Sequence, residues 1–161
     1  MDKSLKFNLK RPHQLFALGF GTGLAPKAPG TVGTLAALPF IFATMTLPVW
    51  FQVSLAVLMT IFGIWVCGKT ARDVNVHDHP AIVWDEVVGF YITMIGAAIS
   101  WQSLIVGFVL FRFFDIAKPG PIRMLDKKLH GGRGIMADDV LAGIFSLICV
   151  QALFKTGVLG G

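Results

Sequence analysis

Charge is scarce in this chain: 14% of its 161 residues are charged, against 55% hydrophobic. A soluble domain of this size could not cover so much apolar surface, which makes the bilayer the expected solvent. Cysteine is nearly absent as well. Cys67 and Cys149 both fall inside apolar runs and form neither a CxxC pair nor a disulfide framework. No segment reads as a cleaved secretory signal, because the first apolar run ends in Pro26-Lys27-Ala28-Pro29-Gly30 and later runs are equally apolar. The GxxxxGK motif of nucleotide-hydrolysing loops is missing, as are a CxxxxxR loop and an Asp-x-Asp after an apolar strand. These absences disfavour a P-loop hydrolase and covalent Cys or Asp phosphoenzymes of those kinds.

What is present is a series of apolar runs, roughly 33 to 51, 52 to 67, 87 to 101, 103 to 114 and 139 to 154. They predict an all-α, polytopic membrane bundle of about five short spanning helices. The Gly-rich stretch 15 to 24 is too short to span and is expected to form an interfacial or re-entrant helix. Residues 1 to 161 read as a single membrane-embedded domain that begins with a basic arm over residues 1 to 12. Trp50, Trp65, Trp84 and Trp101 near the run ends suggest an interfacial aromatic belt.

Charge position fixes the expected orientation. Thirteen of the fourteen basic residues fall on the N-terminal side of a five-span arrangement, and only Lys155 lies opposite. The positive-inside rule then predicts N-in, C-out, and explains the net charge of +5 without nucleic acid. All nine acids share that side. Asp85 and Glu86 are expected to open the third run, Asp115 to close the fourth, and Asp138 with Asp139 to open the fifth.

Carboxylates near a bilayer are costly, and those that occur pair with cations or line a functional site. Asp85, Glu86, Asp115, Asp138 and Asp139 suffice for one Mg²⁺ or for two, and have the hard oxygen donors it prefers. Arg112, Lys118 and Arg133 are candidates to hold phosphate oxygens. Gly30 and Thr31 lie in a Gly-rich turn whose backbone N–H groups could bind an anion. Plainer readings stand beside these: Asp85 and Asp138 as helix caps, Asp115 as an ion pair with Arg112 three residues away, and Thr31 and Thr34 as caps of the first span. His77-Asp78-His79 reads as a solvated loop rather than a zinc site. His130, before Gly131-Gly132, could protonate a leaving group or simply lie at the surface.

Gly21-Thr22-Gly23-Leu24-Ala25-Pro26, Pro29-Gly30-Thr31-Val32-Gly33-Thr34-Leu35 and Trp84-Asp85-Glu86 resemble the bacterial phosphatidylglycerophosphatase A family. So do Phe111-Arg112-Phe113-Phe114-Asp115-Ile116-Ala117-Lys118-Pro119 with Pro121-Ile122, and Gly131-Gly132-Arg133-Gly134-Ile135-Met136-Ala137-Asp138-Asp139. The resemblance runs in order over roughly residues 12 to 150. It implies a Mg²⁺-dependent lipid phosphatase of the bacterial inner membrane that converts phosphatidylglycerophosphate to phosphatidylglycerol and inorganic phosphate. The expected chemistry is attack of metal-activated water on phosphorus, with Asp85, Glu86, Asp115, Asp138 and Asp139 as ligands or water activators. Two rivals differ in what they need. A lipid headgroup transferase should carry a long acidic motif containing Asp-Gly, and an ion-coupled transporter should carry ionisable residues at mid-membrane. Neither feature is found, and the oligomeric state stays open.

Overall fold

The computed structural model describes residues 7–77 and 79–159. Among them there are helices and turns and no strand: α1 (Pro12–Ala17), α2 (Pro29–Leu35), α3 (Leu38–Thr44), α4 (Val49–Asp73), α5 (Trp84–Thr93), α6 (Trp101–Ala117), α7 (Gly120–Lys128) and α8 (Gly131–Lys155). The all-helical expectation is met. Asp2, Lys3, Lys6 and Asp78 lie outside the described residues.

Two helices, α4 and α8, are long and apolar enough to cross a membrane. Only 28% and 33% of their apolar stretches are buried within the chain, whereas the core helix of a soluble protein would be mostly covered. Leu58 and Ile61 on α4 and Ile148 on α8 face outward.

The other runs depart from five simple spans. The first is split: α2 ends at Leu35 and α3 starts at Leu38, with Pro39 unable to donate a backbone N–H to the preceding turn. The third run yields only the ten-residue α5, about 15 Å long against a hydrocarbon core of about 30 Å. Apart from Glu86, every residue of α5 is buried. It is the central rod, packed against α2, α4, α6 and α8.

Five segments nevertheless alternate in direction. At one end lie Gly30, Asp73, Glu86, Asp115 and the start of α8. At the other, the Thr44 hydroxyl meets the Tyr91 hydroxyl at 2.9 Å, Gln52 accepts the Gly96 N–H at 3.0 Å, and Gln151 donates to the Ile95 carbonyl at 3.0 Å. The first contact joins α3 to α5, and Gln52 and Gln151 tie the 94–100 connection to the ends of α4 and α8. Ser100 and Ser103 form a reciprocal capping box at the start of α6.

Glycines set the closest helix contacts, since a missing side chain lets two backbones approach. A Cβ on Gly132 of α8 would lie 1.9 Å from the Ile64 carbonyl oxygen of α4, and one on Gly143 would lie 2.5 Å from the Gly89 carbonyl oxygen of α5. The neighbour is backbone in both cases, so it cannot step aside. Gly132→Ala is expected to destabilise the bundle by about 2–3 kcal/mol, read as a fall in melting temperature in detergent.

The N-terminal stretch 15 to 24 is not one helix. α1 stops at Ala17, and a 3₁₀ turn follows over Gly19–Leu24 with positive φ at Gly19, Phe20 and Gly21. Gly23 packs so tightly that a Cβ there would meet the Ala81 carbonyl. Asp73 clamps the start of this hook through His13 at 2.7 Å, Gln14 at 3.1 Å and Arg11 at 3.4 Å. Trp84 also departs from expectation. It is only 2% exposed, lies among Phe16, Phe20, Phe40 and Phe62, and donates its indole N–H to the Met59 carbonyl at 3.1 Å. Trp50, Trp65 and Trp101 are exposed.

Candidate active site

Three helices bring the acids together. Asp85 and Glu86 occupy the first turn of α5, Asp115 lies in the last turn of α6, and Asp138 and Asp139 come from α8. The last pair does not open its helix. α8 begins at Gly131, so these two carboxylates sit about two turns inside, because the Gly-rich segment before them is itself helical. One carboxylate oxygen from each of Asp85, Glu86 and Asp139 lies within 4.8 Å of the others. Asp85 and Asp139 are buried and Glu86 nearly so.

Three carboxylates held this close and this dry repel one another and have lost their hydration, a combination that a cation relieves. Glu86 Oε2 is buried with no hydrogen-bond partner among the described residues. The donor set is all oxygen, which suits a hard divalent ion such as Mg²⁺ and not zinc in a thiolate or imidazole site. On these grounds the residues fit such an ion.

Basic groups are interleaved with the acids. Arg112 donates from Nη1 to Asp115 Oδ2, confirming the internal ion pair, and its Nη1 also lies 3.8 Å from Glu86 Oε1. Lys118 donates from Nζ to Asp138 Oδ2 at 2.6 Å. Gly30 closes one side: a Cβ there would lie 2.4 Å from Glu86 Oε1 and 3.4 Å from Arg112 Nη1. Thr34 turns its hydroxyl back to the Gly30 carbonyl at 2.8 Å. It therefore does not cap α2, whose N-cap is Ala28 in the left-handed region.

A cavity of about 430 Å³ opens on this cluster, lined by Asp85, Glu86, Asp115, Lys118, Asp138 and Asp139. That volume suits a small polar headgroup. The remaining phosphate-binding candidates lie elsewhere. Arg112 pairs with Asp115 and lies near Glu86, Arg133 is exposed on the first turn of α8, and Thr31 is half-buried on α2; none of the three lines the cavity.

Sequence reasoning undervalued the histidines. His77, His79 and His130 all line the cavity. His77 is exposed, as a loop residue should be, yet its Nε2 accepts the Gly131 N–H at 2.7 Å and its ring lies 6.0 Å from that of His130. His79 Nδ1 accepts the Ala81 N–H at 3.1 Å. For His77 and His79 the available signal was their nearness to Asp85 and Glu86 in the chain; for His130 it was its place just before Gly131-Gly132. What brings them to the mouth is a tertiary contact with α8 that no local pattern encodes.

Comparison with known proteins follows the same residues. A family model described as phosphatidylglycerophosphatase A matches residues 15–154. A protein of Escherichia coli (strain K12) named phosphatidylglycerophosphatase A is 47% identical over 143 residues, covering 88% of this chain and 83% of that one. One of the same name from Haemophilus influenzae is 46% identical over 150 residues, covering 92% of each. A Bacteroides thetaiotaomicron protein, 39% identical over 88% of this chain and 95% of its own, carries the provisional name phosphatidylinositol-3-phosphatase. No solved structure matches. With the family model spanning most of the chain and two relatives near half identity, the chain belongs to the phosphatidylglycerophosphatase A family.

Proposed function

We propose that the chain removes the terminal phosphate of phosphatidylglycerophosphate, giving phosphatidylglycerol and inorganic phosphate, at the carboxylate cluster on one end of a membrane-embedded bundle. Family membership makes it a lipid phosphatase. The observation that carries the finer reading is the meeting of Asp85, Glu86 and Asp139 within 4.8 Å beside a polar cavity. Asp85, Glu86 and Asp139 would hold Mg²⁺, with Asp115 and Asp138 alongside. A bound Mg²⁺ there would polarise a phosphoryl oxygen and lower the pKa of a coordinated water.

The chain's own groups supply the rest. Lys118, at the cavity wall, offers a point charge to the phosphate. Arg112, bonded to Asp115 and close to Glu86, orients those two carboxylates. His130, at the cavity mouth, would protonate the departing glycerol oxygen. Arg133 and Thr31 would act from outside the cavity.

The whole chain would work as one domain crossing the bacterial cytoplasmic membrane with its five alternating segments. The short α5 would be shielded from lipid by its neighbours, which is where a helix too short to span is tolerated. Basic residues gather at the site end and Lys155 at the other, which favours a cytoplasmic site and an outward C-terminus. Acids at one end rather than at mid-bundle weigh against a transporter.

The test is phosphate release by the purified protein in lipid micelles, with Mg²⁺ or with chelator. Phosphatidylglycerophosphate and phosphatidylinositol 3-phosphate would be supplied in parallel. Release from the first, faster than from the second and abolished by chelation, is the expected result. No release from either lipid under any divalent metal would refute the phosphatase assignment, and release undiminished by chelator would refute the metal.

A further inference from the structure

Two apolar grooves run down the flanks of the bundle, and no charged side chain lines either. One, of about 300 Å³, has Leu35, Leu38 and Phe42 on one wall, Phe90 of α5 as its floor, and Leu104 and Phe108 of α6 opposite. The other, of about 360 Å³, lies between α4 and α8, where Val57, Ile61 and Ile144 line it.

Their heads differ. The α4–α8 groove is closed toward the acids by backbone contact, since α4 and α8 touch at Gly68 and Gly132. The α3–α6 groove runs along α6 toward the Gly30–Arg112 side of the acids. Phe108 is one helical turn from Arg112, and Leu35 is five residues along from Gly30, the residue packed against both Glu86 and Arg112. From Trp101 to Arg112 the helix rises about 16 Å. Half of a hydrocarbon core is about 15 Å, so a chain from the leaflet at the catalytic end fits within that length.

A phosphomonoester on a diacylglycerol must deliver its phosphate to the carboxylates while its chains stay in an apolar medium. We propose that the α3–α6 groove holds one acyl chain of the lipid whose phosphate sits at the Asp85–Glu86–Asp139 cluster, and that the substrate enters sideways from the leaflet. The inference rests on the lipid phosphatase reading and adds the path by which the lipid reaches the site. Arg112 near the head, with no charge along the walls, suits an anionic headgroup on a hydrocarbon tail.

The test uses the full chain in phosphatidylcholine nanodiscs. Leu104→Trp and Leu38→Trp fill the α3–α6 groove, and Ile144→Trp fills the other. Both fillers are expected to raise KM for dioleoyl phosphatidylglycerophosphate about tenfold, the worth of roughly two displaced methylenes, and to leave the dihexanoyl substrate unchanged. Ile144→Trp should leave both unchanged. Equal losses on long and short chains in both fillers, or no loss in either, would overturn the groove.

A second readout does not need turnover. Wild-type protein in chelator is illuminated with phosphatidylglycerophosphate carrying a mid-chain diazirine. Label concentrated on peptides of α3 and α6 supports the groove. Label on α4 and α8, or spread over every outward helix face, overturns it. If wild type releases no phosphate yet α3 and α6 are labelled, the phosphatase reading fails and the chain slot stands.

Discussion

Asp139→Asn and Asp85→Asn are each expected to lower phosphate release by about three orders of magnitude while the protein remains folded. Each substitution keeps the side-chain volume and removes one negative charge from a group of three carboxylates within 4.8 Å. A site for a divalent ion that loses one of three charged donors loses most of the transition-state stabilisation the ion provides, several kcal/mol, and each 1.36 kcal/mol is a factor of ten in rate. Stability should move the other way. Without metal, the buried carboxylates repel, so removing one relieves strain that the active site carries for function.

That opposition separates a ligand from a structural acid. In chelator, the asparagine variants should melt at or above the wild-type temperature. Added Mg²⁺ should raise the wild-type melting point by mass action, about 2.7 kcal/mol at a hundred times Kd, and leave the variants unmoved. Variants that unfold in chelator would mark Asp85 and Asp139 as groups that hold the helices together. Variants that keep full activity would remove them from the site.

Much of this site was legible because charge is rare in the chain. With so few charged residues, every carboxylate stands out, and placing Asp85, Glu86 and Asp115 at helix ends needed only the apolar runs beside them. The Arg112–Asp115 pair followed from helical spacing. What hydropathy does not register is whether an apolar residue meets lipid or another helix. Val87, Val88 and Phe90 are as apolar as Leu58 and Ile61, yet the first three are buried inside the bundle and the other two face out. The shortness of α5 was hidden for that reason, and Trp84 was mistaken for a belt residue. Asp138 and Asp139 were misplaced because α8 already starts at Gly131, whose φ is positive, and runs through Gly132 and Gly134, where a Cβ would meet a backbone carbonyl.

Gly30→Ala should abolish most activity without unfolding the protein, a loss of about a hundredfold or more. The added methyl would lie 2.4 Å from Glu86 Oε1, inside van der Waals contact, so one of the two must move. Gly30 sits at the second position of α2, anchored by the Thr34 hydroxyl on its carbonyl, whereas Glu86 Oε1 is the tip of a flexible side chain. The carboxylate gives way, at little cost in stability. The displaced atom belongs to a proposed ligand, and a misplacement on the order of 1 Å costs about 10²-fold in rate. Gly132→Ala supplies the contrast, since its new methyl meets a main-chain carbonyl and the loss there is of fold. A melting curve and a phosphate-release rate on both variants resolve the two. Gly30→Ala should keep its melting temperature and lose its rate; if it loses both together, Gly30 serves packing and the cradle beside Glu86 has no part in positioning the carboxylate.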